Sequence, residues 1–475
     1  MARARRGDTL SVTIDDLAYG GEGVGRADGY VIFVPGGLPG DTVRVRLTQA
    51  RARFGRGAIE AIERPSPSRV EPPCPYFGRC GGCRLQHLAY DAQLALKTKQ
   101  VVDCLERLGG AAAFERRPIL PAPEIYGYRN KMEFTVARAD AAARVVPMGR
   151  RLPAPDADAA TLAGPVVGLH EADRYDAVLD VERCLLQSDR MNALLVEARR
   201  FFTERRLTVY DQESGEGLLR FLMLREGKGT GEAMVNVVTS APAVSELEPL
   251  VGRVQARVPE TSSVVMNVNP KKASVAVGVE EHLLGGRDHI RESLGGLTFQ
   301  VSAGSFFQTN TAQAERLFGI VLDAAALTGE ETVVDLYSGT GAISLLLARR
   351  CRRVYGIEVA PAAVADAVRN AQVNGITNCE FLAGEVRFAL PELISRGVAA
   401  DVAVCDPPRA GFHPKALSAL ATLGPARIVY VSCNPATLAR DVGELTRAGY
   451  RLEWVQPVDM FPHTPHIEVV AHLVR

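Results

Sequence analysis

One run constrains the fold of this chain more than any other: Val333-Val334-Asp335-Leu336-Tyr337-Ser338-Gly339-Thr340-Gly341-Ala342. Val333–Leu336 reads as a buried strand, Gly339 and Gly341 turn the chain tightly, and Ile343–Arg350 reads as a helix. Strand, glycine turn and helix in that order belong at the carboxyl edge of an open sheet, where a ligand can approach backbone N–H groups. Downstream, strands at Val333–Leu336, Arg353–Ile357, Asp401–Cys405 and Ile428–Ser432 alternate with helical segments. This β-α-β-α rhythm predicts a mostly parallel α/β sheet. Glu358 closes the second strand, where a carboxylate can accept both hydroxyls of a ribose. A dinucleotide fold wants a third glycine where Ser344 stands, which argues against a nicotinamide cofactor.

Three more motifs fall on the same edge. Asp406-Pro407-Pro408-Arg409-Ala410-Gly411 follows the apolar strand Asp401–Cys405, and its two prolines hold Asp406 in a rigid loop. Asp406 can serve either a cofactor or a substrate base. Enzymes that methylate exocyclic amines carry an aromatic after the two prolines, and Arg409 stands there instead. Val431-Ser432-Cys433-Asn434-Pro435 places a thiol just past another apolar strand, where a stabilised thiolate can act as a nucleophile. Cys351, Cys379 and Cys405 read instead as small buried residues. Glu468 lies in the otherwise apolar terminal strand after Met460–Ile467, and half-burial would lift its pKa toward a useful range for proton transfer.

The first half reads differently. Leu10–Ile14, Tyr30–Val34, Thr42–Leu47 and Gly57–Ile62 are short strands separated by Gly20–Gly25 and Pro35-Gly36-Gly37, a pattern that predicts a small closed barrel. Pro65, Pro67, Pro72 and Pro73 form a stiff linker. Next come Cys74-x5-Cys80-x2-Cys83 and an amphipathic helix from Asp91 to Leu108. Three cysteines so close, with Gly78, Gly81 and Gly82 between them, read as a metal or cluster loop of open identity. Its fourth ligand is Cys184 rather than Cys104 in the helix. From Pro118 to Gly286 the pattern is mixed, with strands at Lys131–Ala137, Arg220–Arg225, Ala233–Val238 and Ser263–Val268. Residues 138–165 read as a loop insertion rich in Ala, Pro, Asp and Arg.

Length and charge bound the rest. The 475 residues are too many for one ordinary domain, and 47% hydrophobic with 23% charged residues is the balance of a globular protein. The net charge is zero, so any nucleic-acid surface must be local. Arg44, Arg46, Arg51, Arg53 and Arg56, with no acid between Asp41 and Glu60, are either that surface or a solvated strand face. No apolar segment reaches the roughly 18 residues of a membrane span, and the basic N-terminus lacks the apolar stretch of a secretory signal. A cytoplasmic protein is expected, in which nine cysteines serve as ligands or nucleophile rather than as disulfides.

Taken together, these motifs closely resemble the RNA uridine-5-methyltransferase family, in particular its bacterial members acting on 23S ribosomal RNA. The resemblance spans nearly the whole chain. It implies three parts: an OB-like TRAM β-barrel over 1–68 that binds RNA, a mixed α+β central domain over 69–290, and a Rossmann-like class I methyltransferase domain over 291–475. The helix at 91–108 would pack on the last of these. Ser305-Phe306-Phe307-Gln308-Thr309-Asn310 resembles the family's approach to that domain. By this resemblance Gln308, Tyr337, Gly339, Gly341, Glu358, Glu385 and Asp406 bind S-adenosylmethionine. Cys433 is the nucleophile, Glu468 the base, and Cys74, Cys80, Cys83 and Cys184 hold a [4Fe–4S] cluster. Ala342 stands where some members have a polar cofactor contact.

The implied reaction is methylation of uridine C5 through a Cys433–C6 adduct, on a flipped or single-stranded base. The expected partner is RNA, 23S ribosomal RNA ahead of transfer RNA, with no membrane and no obligate protein partner, the chain acting as a monomer. A cytosine-5 methyltransferase would carry a Thr-Cys or Pro-Cys at the Asp406 position. A radical enzyme would carry a Cys-x3-Cys-x2-Cys triplet. A non-catalytic RNA-binding assembly factor would have no use for Cys433 and Glu468.

Overall fold

The computed structural model describes residues 4–111, 113–138, 142–143, 164–273, 275–276 and 278–475. Most of the expected insertion at 138–165 lies outside the described residues.

Five strands, β1 (Thr9–Leu17), β2 (Gly23–Ala27), β3 (Tyr30–Val34), β4 (Thr42–Ala50) and β5 (Phe54–Arg64), close a barrel in the order β1-β2-β3-β5-β4. Alternation along β4 sends Val43, Val45 and Leu47 inward with Val12, Ile14, Ile32 and Val34. The glycine segment, expected to be only a turn, contains a strand. A Cβ at Gly25 would sit 2.3 Å from the Thr13 carbonyl oxygen, so glycine is what lets β2 lie against β1. The arginines of this region are partly neutralised. Antiparallel pairing of β4 with β5 sets Arg44 beside Glu63 (3.7 Å) and Arg46 beside Glu60 (3.3 Å), while Arg56 meets Glu22 (2.6 Å). Acids distant in sequence thereby favour the solvated-face reading for these three.

The chain after the barrel packs on both the barrel and the C-terminal sheet. The helix Tyr90–Arg107 buries Val101 and Leu105 against the methyltransferase-like half, and the short strand β6 (Glu115–Arg116) joins the edge of that half's sheet. This segment, grouped on sequence with the middle of the chain, packs with the C-terminal sheet.

The central sheet has eight strands, β7 (Lys131–Ala137), β8 (Ala142–Ala143), β9 (Val166–Glu171), β10 (Arg174–Asp180), β11 (Leu219–Glu226), β12 (Ala233–Thr239), β13 (Thr261–Val268) and β14 (Glu280–Gly286), in the order β14-β13-β12-β11-β7-β9-β10-β8. Helices Asp189–Glu204 and Pro249–Arg257 cover one face, with Leu194, Phe201 and Leu250 against Leu222, Val235 and Val264. The other face sends Met234 and Val265 into the catalytic core. β11 and β12 are buried at every position, and their cores Phe221–Leu224 and Met234–Val238 are mostly apolar.

A hairpin, β15 (His289–Leu294) with β16 (Leu297–Ser302), leads into the last sheet. Its strands β17 (Thr332–Leu336), β18 (Arg353–Glu358), β19 (Cys379–Ala383), β20 (Val402–Cys405), β21 (Arg427–Ser432), β22 (Arg451–Val458) and β23 (Glu468–Val474) take the order β19-β18-β17-β20-β21-β23-β22-β6. The first five are parallel, and their order reverses between β17 and β20, the switch point where such sheets open a crevice for ligands. Helices cover both faces and bury two apolar layers. Among the described residues no helix is long and apolar enough to cross a membrane.

Candidate active site

A cleft of about 1140 Å³ opens over the switch point, between the last sheet and the open end of β12–β14. It is lined by Gln308, Tyr337, Gly339, Glu358, Glu385, Asp406, Cys433 and Glu468, so residues from seven separate stretches of sequence meet in one place. The parallel strands explain most of this. Tyr337 follows β17, Glu358 ends β18, Asp406 follows β20 and Cys433 follows β21, all at the carboxyl edge. Glu468 begins β23, which runs antiparallel to β21, and its first residue therefore falls on that same edge. Ser432 pairs with Val469, so Cys433 and Glu468 come next along the two strands and stand side by side at the cleft.

Gly341 does not line this cleft. At φ 83° it starts the helix Ala342–Ala348, and a Cβ there would lie 3.0 Å from Ala367 Cβ and 3.1 Å from Phe381 Cζ. Its work is the turn and the close packing beneath it. Gly339, at φ 54°, has open space above its Cα. Tyr337 also adopts a left-handed φ, 68°, which aims both its own N–H and that of Ser338 at the Ile357 carbonyl. Glu358 accepts from the Gly339 and Ala360 N–H groups at 3.1 and 2.8 Å. Among the described residues the buried Ser338 Oγ and Asp335 Oδ1 have no hydrogen-bond partner. A polar ligand with hydroxyl and amine groups, such as S-adenosylmethionine, would engage this lining.

Gln308 is held from outside its own domain. Asn130, just before β7, donates to the Gln308 carbonyl and to Thr311 Oγ1, both at 2.8 Å. Buried Arg225 on β11 donates to the carbonyls of Ala303 and Ser305. Glu385 is exposed at the start of helix Val386–Ser395 and pairs with Arg387 at 2.7 Å. The two tethers of the Gln308 loop were not legible in the sequence, because each joins the central sheet region to a loop far away in the chain.

Charge is concentrated around the thiol. Burial, then the charges of Glu468 and Asp406, push the Cys433 thiol up to about 11, while Arg409 opposes them. Glu468 is 5% exposed, and burial followed by the Asp406 charge holds its carboxyl well above the usual range, again against Arg409. Burial, then the charge of Asp335, lifts Asp406 to about 7. Arg409 Nη2 lies 2.8 Å from His466 Nδ1. Burial, then the Arg409, Arg129 and Lys97 cations, push that imidazole down to about 4, so it is neutral and accepts. His466 sits two residues before Glu468, and its role had no signal beyond that proximity.

A second cavity, about 270 Å³, is lined by Cys74, Cys80, Cys83 and Cys184 together with Arg129. All four cysteines are free, while Cys104 lies apart and packs on the catalytic core. Among the described residues no three His, Cys, Asp or Glu side chains converge to hold a single metal ion. Burial, then the charge of nearby Cys184, pushes Cys83 to about 12; in Cys80, at about 11, burial and Cys184 also raise the value. Arg129 offsets these shifts, and among the described residues its buried Nε has no hydrogen-bond partner.

The comparisons with known proteins decide the family. Residues 279–475 match the tRNA (Uracil-5-)-methyltransferase family and residues 3–59 match the TRAM domain. An uncharacterized RNA methyltransferase of Chlorobaculum tepidum is 42% identical over 482 residues, covering 100% of this chain and 98% of its own. Another, from Halalkalibacterium halodurans, is 40% identical over 472 residues, 99% of this chain and 98% of its own.

The chain belongs to the RNA (uracil-5-)-methyltransferase family.

As a member it is an S-adenosylmethionine-dependent RNA methyltransferase, as the motifs implied. A solved structure agrees along its length. The Pyrococcus abyssi tRNA (uracil-54, C5)-methyltransferase in complex with S-adenosyl-L-homocysteine superposes with a TM-score of 0.74 at 30% identity, covering 98% of this chain and 100% of that one. The expected fold class, a class I methyltransferase domain behind an N-terminal barrel and a mixed central sheet, is the one found.

Proposed function

We propose that this methyltransferase transfers a methyl group to C5 of an RNA uridine through a covalent bond between Cys433 and C6, with Glu468 as the base. The observation that carries the reading is the β21–β23 register, which sets the Cys433 thiol beside the Glu468 carboxyl at the edge bearing Tyr337, Glu358 and Asp406. Bound S-adenosylmethionine would supply an electrophilic methyl group, with Gln308, Tyr337, Gly339, Glu358, Glu385 and Asp406 around it.

Uracil C5 is too weak a nucleophile to take that methyl unaided. When the Cys433 thiolate bonds to C6, the C5–C6 π electrons move toward O4 and make C5 an enolate carbon. C5 then bonds to the methyl carbon as the sulfur–methyl bond breaks. C5 now carries methyl and hydrogen together. Glu468 takes that hydrogen as a proton, C5=C6 re-forms, and the C6–sulfur bond breaks to free the thiolate. Burial serves this last step, since a carboxylate with a raised pKa is the stronger base. Arg409 favours the thiolate needed first. RNA containing 5-fluorouridine tests the scheme, because Glu468 has no proton to remove at C5. A stable protein–RNA complex is expected, and free turnover without any complex would refute the adduct.

The four cysteines of the second cavity are read as ligands of a [4Fe–4S] cluster. Thiols that ring a cavity without meeting at one point suit a polynuclear group better than a lone ion, and the positive charge of Arg129 in the same lining suits its negative charge. Within this reading the chain divides into 1–68, 69–290 and 291–475, with the helix Tyr90–Arg107 and β6 strapping the central part to the catalytic one, and the enzyme works as a cytoplasmic monomer.

The proposed target is a uridine in a loop of 23S ribosomal RNA. Transfer RNA is the second reading, and a specific observation favours it: the solved enzyme matched over 98% of this chain, barrel included, acts on transfer RNA. The barrel therefore does not separate the two. In vitro methylation of unmodified 23S RNA and unmodified transfer RNA does, and better turnover on transfer RNA would overturn the ribosomal target.

A further inference from the structure

The barrel does not sit remote from the reacting base. Its β1–β2 loop carries Tyr19, whose ring is 53% exposed. Leu17 at the base of this loop is buried with Leu38 of the barrel and with Leu85 and Leu88 beside the cysteine loop. Lys99 bonds Asp16 at 2.6 Å, and Gln100 donates to the Leu17 carbonyl at 3.3 Å, both from the helix Tyr90–Arg107. At Gly21 the backbone comes so close that a Cβ would touch Arg84 Cβ at 3.4 Å, Leu85 Cδ2 at 3.5 Å and Pro465 Cβ at 3.9 Å. The Arg84 and Leu85 N–H groups in turn both donate to the His463 carbonyl at 3.0 Å. The loop is thus fixed to the 463–465 segment, three residues before Glu468. Burial raises the pKa of the Tyr19 hydroxyl, and the charges that act on it after burial are those of Arg409, Cys433, Cys104 and Glu468.

The geometry points to Tyr19 as a stacking platform for an unpaired RNA nucleobase next to the flipped uridine. This rests on the uridine reading above. Flipping one nucleotide strips its neighbour of a stacking partner, and an exposed aromatic on a loop seated against the segment that leads to Glu468 replaces it. A phenol ring suits the task because it is flat, loses little conformational entropy when held, and accepts any base. The barrel then helps hold the RNA at the reacting site itself. Stacking of one base on an aromatic is worth on the order of five- to 150-fold in affinity.

The test measures kcat/KM for the wild type, Tyr19→Ala and Tyr19→Phe. The substrates are an in vitro transcript of the RNA that the wild type methylates and versions made abasic at each flanking nucleotide. Tyr19→Ala is expected to lose about tenfold or more, mainly through KM, with S-adenosylhomocysteine affinity unchanged. Tyr19→Phe keeps the ring and stays within about twofold. At one flanking position the abasic RNA lowers the wild type by a similar factor yet lowers Tyr19→Ala no further. Wild-type kinetics in Tyr19→Ala, a loss in Tyr19→Phe as large as in Tyr19→Ala, or full additivity at every flank would overturn the role of Tyr19 and leave the uridine reading standing. A wild type that methylates no uridine in any RNA would sink that reading, and this one with it.

Discussion

Lys97 Nζ bonds Asp459 Oδ1 at 2.6 Å with both side chains buried, joining positions 362 residues apart. Lys97 also donates to the Phe461 carbonyl at 3.1 Å, and Tyr90 donates to Asp459 Oδ2 at 2.9 Å. The helix Tyr90–Arg107 thereby grips the loop that delivers Glu468. Gln93 completes the hold by accepting from the His463 N–H at 3.0 Å.

Breaking that pair on one side will be costly. Lys97→Met leaves the Asp459 carboxylate buried without its cation, with only Tyr90 donating to it, and a loss of about 3–5 kcal/mol is expected in urea unfolding. Lys97→Met with Asp459→Leu removes both charges and will regain most of it. A single variant within about 0.5 kcal/mol of wild type would show that the pair is not what holds the loop.

The reactivity of Cys433 will move in opposite directions with its two charged neighbours. Removing the Glu468 charge lowers the thiol pKa, so Glu468→Gln will be alkylated faster by iodoacetamide at pH 8 than wild type. Removing the Arg409 charge raises it, so Arg409→Gln will react more slowly. Rate–pH curves for both variants check the signs, and parallel shifts would contradict the charge arrangement.

The catalytic roles separate by where the reaction stops. Cys433→Ala will form no adduct and no product. Glu468→Gln will still bond C6 and accept the methyl but cannot release it, so protein–RNA complex accumulates on denaturing gels. Normal product release by Glu468→Gln would remove it from the role of base.

Anaerobically purified protein is expected to be brown and to carry about four irons per chain. Cys184→Ser will lower the iron content and loosen the join between Cys184 and the 74–83 segment, detectable as faster proteolysis near residue 80. A colourless protein with one zinc per chain would overturn the cluster.

Much of the active edge was legible because its signals are local. An apolar strand followed by Gly339, by Asp406-Pro407-Pro408 or by Cys433 shows itself within ten residues, and parallel strands bring all their carboxyl ends to one side. The barrel strands showed themselves by alternation, except β2, whose glycines signal a turn until the close approach to Thr13 is seen. Lys97 left a trace as well: Gln93, Lys97, Val101 and Leu105 follow i, i+4 spacing on one buried stripe, where a lysine calls for a partner.

What sequence alone determined, then, is which residues stand at strand ends and which chemistry they bring. Only the tertiary structure decided that Glu468 meets Cys433, because that follows from β23 inserting antiparallel between β21 and β22, a long-range pairing that no window of sequence contains. The same holds for Glu63 and Glu60 pairing with Arg44 and Arg46, for Asn130 and Arg225 bracing the Gln308 loop, and for the β1–β2 loop seating against Pro465. Local periodicity reports how one segment hides its own apolar face. Which segments then share a core depends on burial summed over the whole chain, and that sum exists only once the chain has folded.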